Sequence, residues 1–117
     1  MASETSLGKV EISPHAIASI AHNAVLRCYG VVGLAGRGGV RGLGRALARM
    51  EQRDVEVHLD GDRVVIDIYV ILEYGTHISS VAHSIINSVR FSVERAIAMP
   101  VAEVNVHVQG LRVSSPD

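Results

Sequence analysis

VVIDIYVILEYGTHISSVAHSIINSVRFSVERAIAMPVAEVNVHVQGLRV, residues 64–113, decides the fold, because its hydrophobic period changes twice. In residues 64–75, Val64, Ile66, Ile68, Val70, Leu72 and Tyr74 fall on one side. Asp67, Tyr69 and Glu73 fall on the other, the period-two signature of a strand with one buried face. Gly75–Thr76 breaks the strand, and Thr76 is placed to cap a helix. Ile78, Val81, Ala82, Ile85, Ile86, Val89, Val93, Ala96 and Ile97 then recur at helical spacing until Met99–Pro100 ends the run. Period two returns with Val104, Val106 and Val108 directed inward. This strand–helix–strand unit holds no nucleophile beside a base, no paired cysteines and no glycine loop opening a helix.

Working toward the N-terminus, Asp60–Gly61–Asp62 is a hairpin turn signal. The strand before it sets Val55, Val57 and Leu59 against Glu56, His58 and Asp60. Residues 30–44 hold seven of the eleven glycines and read as a loop. Near Val40 a short basic helix is expected, with Leu43, Leu47 and Met50 continuing its apolar stripe. Further back, Ser13–Pro14 supplies a cap and a first-turn proline for a helix burying Ile17, Ile20, Ala21, Ala24, Val25 and Cys28. That helix stops near Tyr29–Gly30, where glycine can take a left-handed cap. Lys9 to Ile12 alternates as a short first strand. The expected fold is α+β with two layers in the order β-α-β-β-α-β. Two long helices cover one face of a four-stranded antiparallel or mixed sheet, and the split βαβ of ferredoxin-like folds is the simplest topology. Residues 8–113 make one domain between a mobile tail at 1–7 and a short tail at 114–117.

Composition narrows function by exclusion. At 117 residues and 48% hydrophobic, the chain can bury a core without disulfides or a structural metal. The formal net charge of -1 excludes a general polyanion binder. Cys28, the single cysteine, excludes an internal disulfide and suits a reducing compartment. The opening MASETSLGK lacks the basic-then-apolar pattern of a secretory signal. Apolar stretches such as Ile68 to Leu72 fall far short of the ~20 residues that span a bilayer.

Four stretches resemble the alkaline shock protein family of bacterial envelope stress response proteins: GKVEIS (8–13), YGVVGLAG (29–36), VVIDIYVILEYG (64–75) and VAEVNVHVQGL (101–111). The resemblance covers roughly residues 8–112, and DIYVILEYG with EVNVHVQG is its specific part. It implies a non-enzymatic cytoplasmic protein tied to envelope homeostasis. Such a protein self-associates and is recruited to the inner face of the membrane by a membrane-anchored partner. The family carries no catalytic residues over to this chain, and no cofactor is expected.

Among candidate sites, Arg37, Arg41, Arg45, Arg49 and Arg53 recur every fourth residue and include half of the ten arginines. They suit acidic headgroups, an acidic partner or nucleic-acid phosphates, and otherwise form a solvated helix face balanced by Glu51 and Asp54. A phosphate- or nucleic-acid-binding module is therefore the alternative to a scaffold. A sheet-face RNA reader would want basic and aromatic side chains, whereas this face is polar and mildly acidic. Phe91 is thrown opposite the buried stripe of its helix and is the candidate oligomer contact. His58 and His107 share the open sheet face with Asp67 or Glu103 nearby, but the spacing requires no ion and no metal is expected. Catalysis by His58 with Asp67 is not expected either, since a flat exposed sheet supplies no pocket.

Overall fold

The computed structural model describes residues 2–4, 7–35 and 54–113. Helix α1 (Pro14–Leu26) begins as its sequence dictates, with the Ser13 hydroxyl accepting the Ala16 N–H at 3.1 Å and Pro14 in the first turn. It buries Ile17, Ala21, Ala24 and Val25 and ends at Arg27, whose backbone remains right-handed. The left-handed glycine lies three residues on: Gly30, at φ +87, turns the chain into strand β3 (Val31–Leu34). A Cβ there would meet Val81 Cγ2 at 3.0 Å, so only glycine fits both the conformation and the space.

Strands β4 (Val55–Asp60) and β5 (Arg63–Glu73) form an antiparallel hairpin pairing Asp60 with Arg63. Gly61, at φ +65, is the first central residue of a two-residue turn, the position where a type II′ hairpin places glycine. Helix α2 (Ile78–Ile97) buries Val81, Ile85, Val89, Val93 and Ile97, each four residues from the last. It ends in the left-handed residue Ala98, at φ 58, whose N–H donates to the Glu94 carbonyl at 2.8 Å. Glu94 Oε2 then accepts the Val101 N–H at 2.7 Å, and Arg90 donates to the Val101 carbonyl at 3.2 Å. This clip aims the chain into strand β6 (Glu103–Arg112), which pairs with β5 in parallel. A parallel pairing needs a crossover, and α2 supplies it.

The sheet is four-stranded and mixed, with β5 at its centre. Strand β6 runs along one edge of β5, while β3 and β4 share the other, end to end. They change over at Tyr69, whose carbonyl accepts from Ala35 N–H at 2.8 Å and whose N–H donates to the Asp54 carbonyl at 3.0 Å. The chain thus leaves the sheet at Ala35 and rejoins it at Asp54, both against one residue of β5. The helices cover the face carrying Val64, Ile66, Ile68, Val70 and Leu72, all fully buried. Each such side chain contributes on the order of 1.5–3 kcal/mol. No polar side chain is buried among the described residues.

The expected α+β architecture of two helices on a four-stranded sheet is the one present. Its fourth strand is different. Lys9 to Ile12, read as a sheet strand, contributes strand β2 (Lys9–Glu11), which pairs antiparallel with strand β1 (Ala2–Glu4) in a separate two-stranded sheet. Ala2–Glu4 lies in the stretch read as a tail. The place in the main sheet goes to β3, drawn from the stretch read as a glycine-rich loop.

Four smaller expectations are corrected. Thr76 does not cap α2: its hydroxyl donates to the Glu73 carbonyl at 2.7 Å, closing the turn after β5, and His77 occupies the cap position. Tyr74 is 66% exposed, because the strand ends at Glu73 and alternation ends with it. Ile78 and Ala96 are exposed near the two ends of α2. Val108 is also exposed: β6 lies at the sheet edge, and its register with β5 slips between Val70 and Ile71, interrupting the alternation.

Candidate functional site on the open face of the sheet

The face of β5 turned away from the helices carries Asp67 and Tyr69, and the register brings chemistry-bearing side chains to them from both sides. Glu56 of β4 lies directly across from Asp67, and Asn105 of β6 lies directly across on the other edge. His58, two residues beyond Glu56, and His107, opposite Tyr69, approach Asp67 on the diagonals. His58 Nε2 lies 3.2 Å from Asp67 Oδ2 and 3.8 Å from Glu56 Oε1. His107 Nε2 and Asn105 Nδ2 each lie 3.1 Å from Asp67 Oδ1. An ionised carboxylate only accepts, so His107 Nε2 and Asn105 Nδ2 are the donors here.

The Tyr69 and His107 rings stack at 4.6 Å between centroids and 14° between planes. That stacking fixes the imidazole so that its Nε2 meets Asp67. The Asp67 side chain is 17% exposed, against 57% for His58 and 41% for His107, so the carboxylate sits low between taller rings. Burial alone would raise the Asp67 pKa. Hydrogen bonds from His107 and Asn105, with the charges of His107 and His58, outweigh burial and hold it below its ordinary value. Asp67 is therefore a fixed anion at neutral pH, a hydrogen-bond hub and not a proton donor. Among the described residues, open surface grooves of about 370 and 360 Å³ lie beside the fold's elements. One runs beside Tyr29, Gly75 and Ser80, and the other beside His15, Glu56 and His58.

The structure brings together His58, Asp67 and His107 as their shared face anticipates; Glu103 is exposed at the start of β6. Glu56 and Asn105 were not singled out by sequence. The turn at 60–63 could have found Glu56, since a two-residue hairpin loop fixes its opposition to Asp67. His22 Nε2 lies 3.4 Å from Asp54 Oδ2, close to where the chain rejoins the sheet. Phe91 is 62% exposed on the outer side of α2, with the Arg95 guanidinium 5.8 Å from its ring centre. Arg37, Arg41, Arg45, Arg49 and Arg53, and the short basic helix expected there, lie outside the described residues. Among the described residues no helix is long and apolar enough to cross a membrane.

The chain is 39% identical to the uncharacterized protein YloU of Bacillus subtilis (strain 168), over 96% of this chain and 95% of that protein. It is 30% identical to the uncharacterized protein Spy1614 of Streptococcus pyogenes serotype M6, over 93% and 92%. Among solved structures, the copper form of the MamM CTD shares the fold with a TM-score of 0.52. Its identity is 14%, over 88% of this chain and 91% of that one. A family model for cell envelope-related function matches residues 2–113. On that match the chain belongs to the alkaline shock protein 23 family.

Proposed function

We propose that this protein acts at the cell envelope by association, as a non-enzymatic scaffold on the cytoplasmic side that self-associates and is held at the membrane by an anchored partner. The observation that carries this reading is the distribution of large apolar side chains. Tyr29, Tyr74, Phe91, Leu111 and Val113 are all exposed, while no polar side chain is buried among the described residues. A lone exposed apolar residue is ordinary, whereas contiguous apolar surface favours contact with another surface, and Tyr29 lines one groove with Gly75, the neighbour of Tyr74. Phe91, at 62% exposure on the outer side of α2, is the contact we assign to self-association. The envelope-related function of the family supports the location.

Sedimentation velocity over a range of concentrations tests this. The wild type should show larger species as concentration rises. Phe91→Asp should shift the distribution toward the monomer while its unfolding curve stays unchanged. A wild type that remains monomeric throughout overturns the self-association. Pull-down from native membranes should return a protein with an apolar span, and its absence removes the anchored partner. The alternative rests on the four-residue spacing of Arg37, Arg41, Arg45, Arg49 and Arg53, which would serve phosphate binding. Labelled RNA and anionic vesicles titrated at two salt concentrations separate these readings, because phosphate contacts give a steep salt slope.

A further inference from the structure

We propose that Glu56, His58 and Asp67 form a binding site for a borderline divalent cation of the Zn²⁺ class, with Asn105 and His107 holding the Asp67 carboxylate in its ligating orientation. One ligand atom from each of Glu56, His58 and Asp67 lies within 4.8 Å of the others. Zinc bonds of about 2.0–2.1 Å in tetrahedral geometry separate neighbouring ligand atoms by about 3.3 Å. The His58 Nε2 to Asp67 Oδ2 distance is 3.2 Å and the His58 Nε2 to Glu56 Oε1 distance is 3.8 Å, so these two edges need only small side-chain adjustments. The Glu56–Asp67 edge, within 4.8 Å, would close by rotation of the Glu56 side chain.

The ligand types select the ion. One imidazole and two carboxylates match zinc-like cations, whereas Mg²⁺ and Ca²⁺ take oxygen alone. His58 would bind as the neutral ring, with Nε2 toward the metal and its proton on Nδ1. Register places Glu56 directly opposite Asp67 across two antiparallel strands, so both carboxylates lie within reach of His58 Nε2.

Asn105 and His107 hold the Asp67 carboxylate from its other side. A ligating carboxylate is commonly steadied through its other oxygen, and Asp67 Oδ1 already accepts from Asn105 and His107 at 3.1 Å each. His107 is itself pinned by its stack on Tyr69. Oδ2 is thereby turned toward His58 and Glu56. Three protein ligands leave a fourth position open on the solvent side, where the His58 side chain is 57% exposed. All three ligands sit on strands of the central sheet, so binding requires no folding step.

The test is calorimetric titration of the untagged full chain, stripped with chelator, using ZnCl₂ in excess Mg²⁺. One saturable equivalent per chain is expected. His58→Gln and Asp67→Asn should each abolish or severely weaken it. His107→Gln should weaken it about tenfold, the low end for loss of an outer partner. His83→Gln, on the exposed face of α2, should leave it unchanged. Co²⁺ as a probe should give the intense visible absorption of a low-coordinate site in the wild type and lose it in His58→Gln. No saturable Zn²⁺ uptake by the wild type overturns the proposal, as does unchanged affinity in His58→Gln with a native circular dichroism spectrum. If Asp67→Asn fails to fold, the His58 variant at its exposed position still decides the outcome.

Discussion

Along β5, the residues facing the helices and those facing away share one backbone and little else. Val64, Ile66, Ile68, Val70 and Leu72 are fully buried, aliphatic and free of any polar atom beyond the main chain. Their neighbours Asp67 and Tyr69 lie in a layer of histidines, a carboxylate and an amide joined at 3.1–3.2 Å. The inner layer is held by close packing, which is unforgiving of lost volume. The outer layer is held by direction-dependent contacts between partly hydrated groups, each worth about 1 kcal/mol net. Stability should therefore be concentrated on one side of the strand and chemistry on the other.

The largest expected effect lies inside. Ile68→Ala or Ile85→Ala should cost about 2–5 kcal/mol in urea unfolding, because each leaves a void in a packed core. A loss below about 0.5 kcal/mol would show that these side chains do not fill the core. Next comes Gly30→Ala, which combines a positive φ with a 3.0 Å approach to Val81 and should cost about 1–3 kcal/mol. On the outer face, Asp67→Ala should cost about 2 kcal/mol, about 1 for each of its two part-buried hydrogen bonds. If it matched Ile68→Ala, the outer layer would be a second structural core.

Ala98→Gly should raise stability by about 0.5–1 kcal/mol, read as a higher thermal midpoint, since glycine tolerates φ 58 without strain. The subtlest signal is in acid. The Asp67 pKa is depressed in the fold, so its contribution is present above the unfolded value of about 3.9 and fades as pH falls through the folded value. Below about pH 4 the wild type should lose stability more steeply than Asp67→Asn. Parallel curves would show that the His107 and Asn105 contacts do not hold the anion.

The same contrast explains what could be read from the chain alone. Burial imposes a period, so β5 and α2, which are long and backed by core, were legible down to individual buried positions such as Ile68 and Val89. Elements without enough length to show a period were not. Strand β3 is four residues, and the register slips between its Val31 and Gly33, leaving no alternation to find. Strand β2 was seen, but nothing local says which strand a short strand pairs with. In the outer layer the shared face of His58, Asp67 and His107 followed from alternation within each strand. Their convergence depended on register. Between β4 and β5 a two-residue turn fixes it; between β5 and β6 a whole helix intervenes, and packing alone sets it.

Tyr69 has one more consequence. Its two main-chain groups hold Ala35 and Asp54 side by side, so the chain departs and returns through the same gate. Both ends of the intervening stretch are held by main-chain hydrogen bonds that depend on no side-chain identity. Each doubling of length adds only about 0.6 kcal/mol in closure entropy. A longer or shorter stretch here would still meet the same two main-chain partners at one residue of β5.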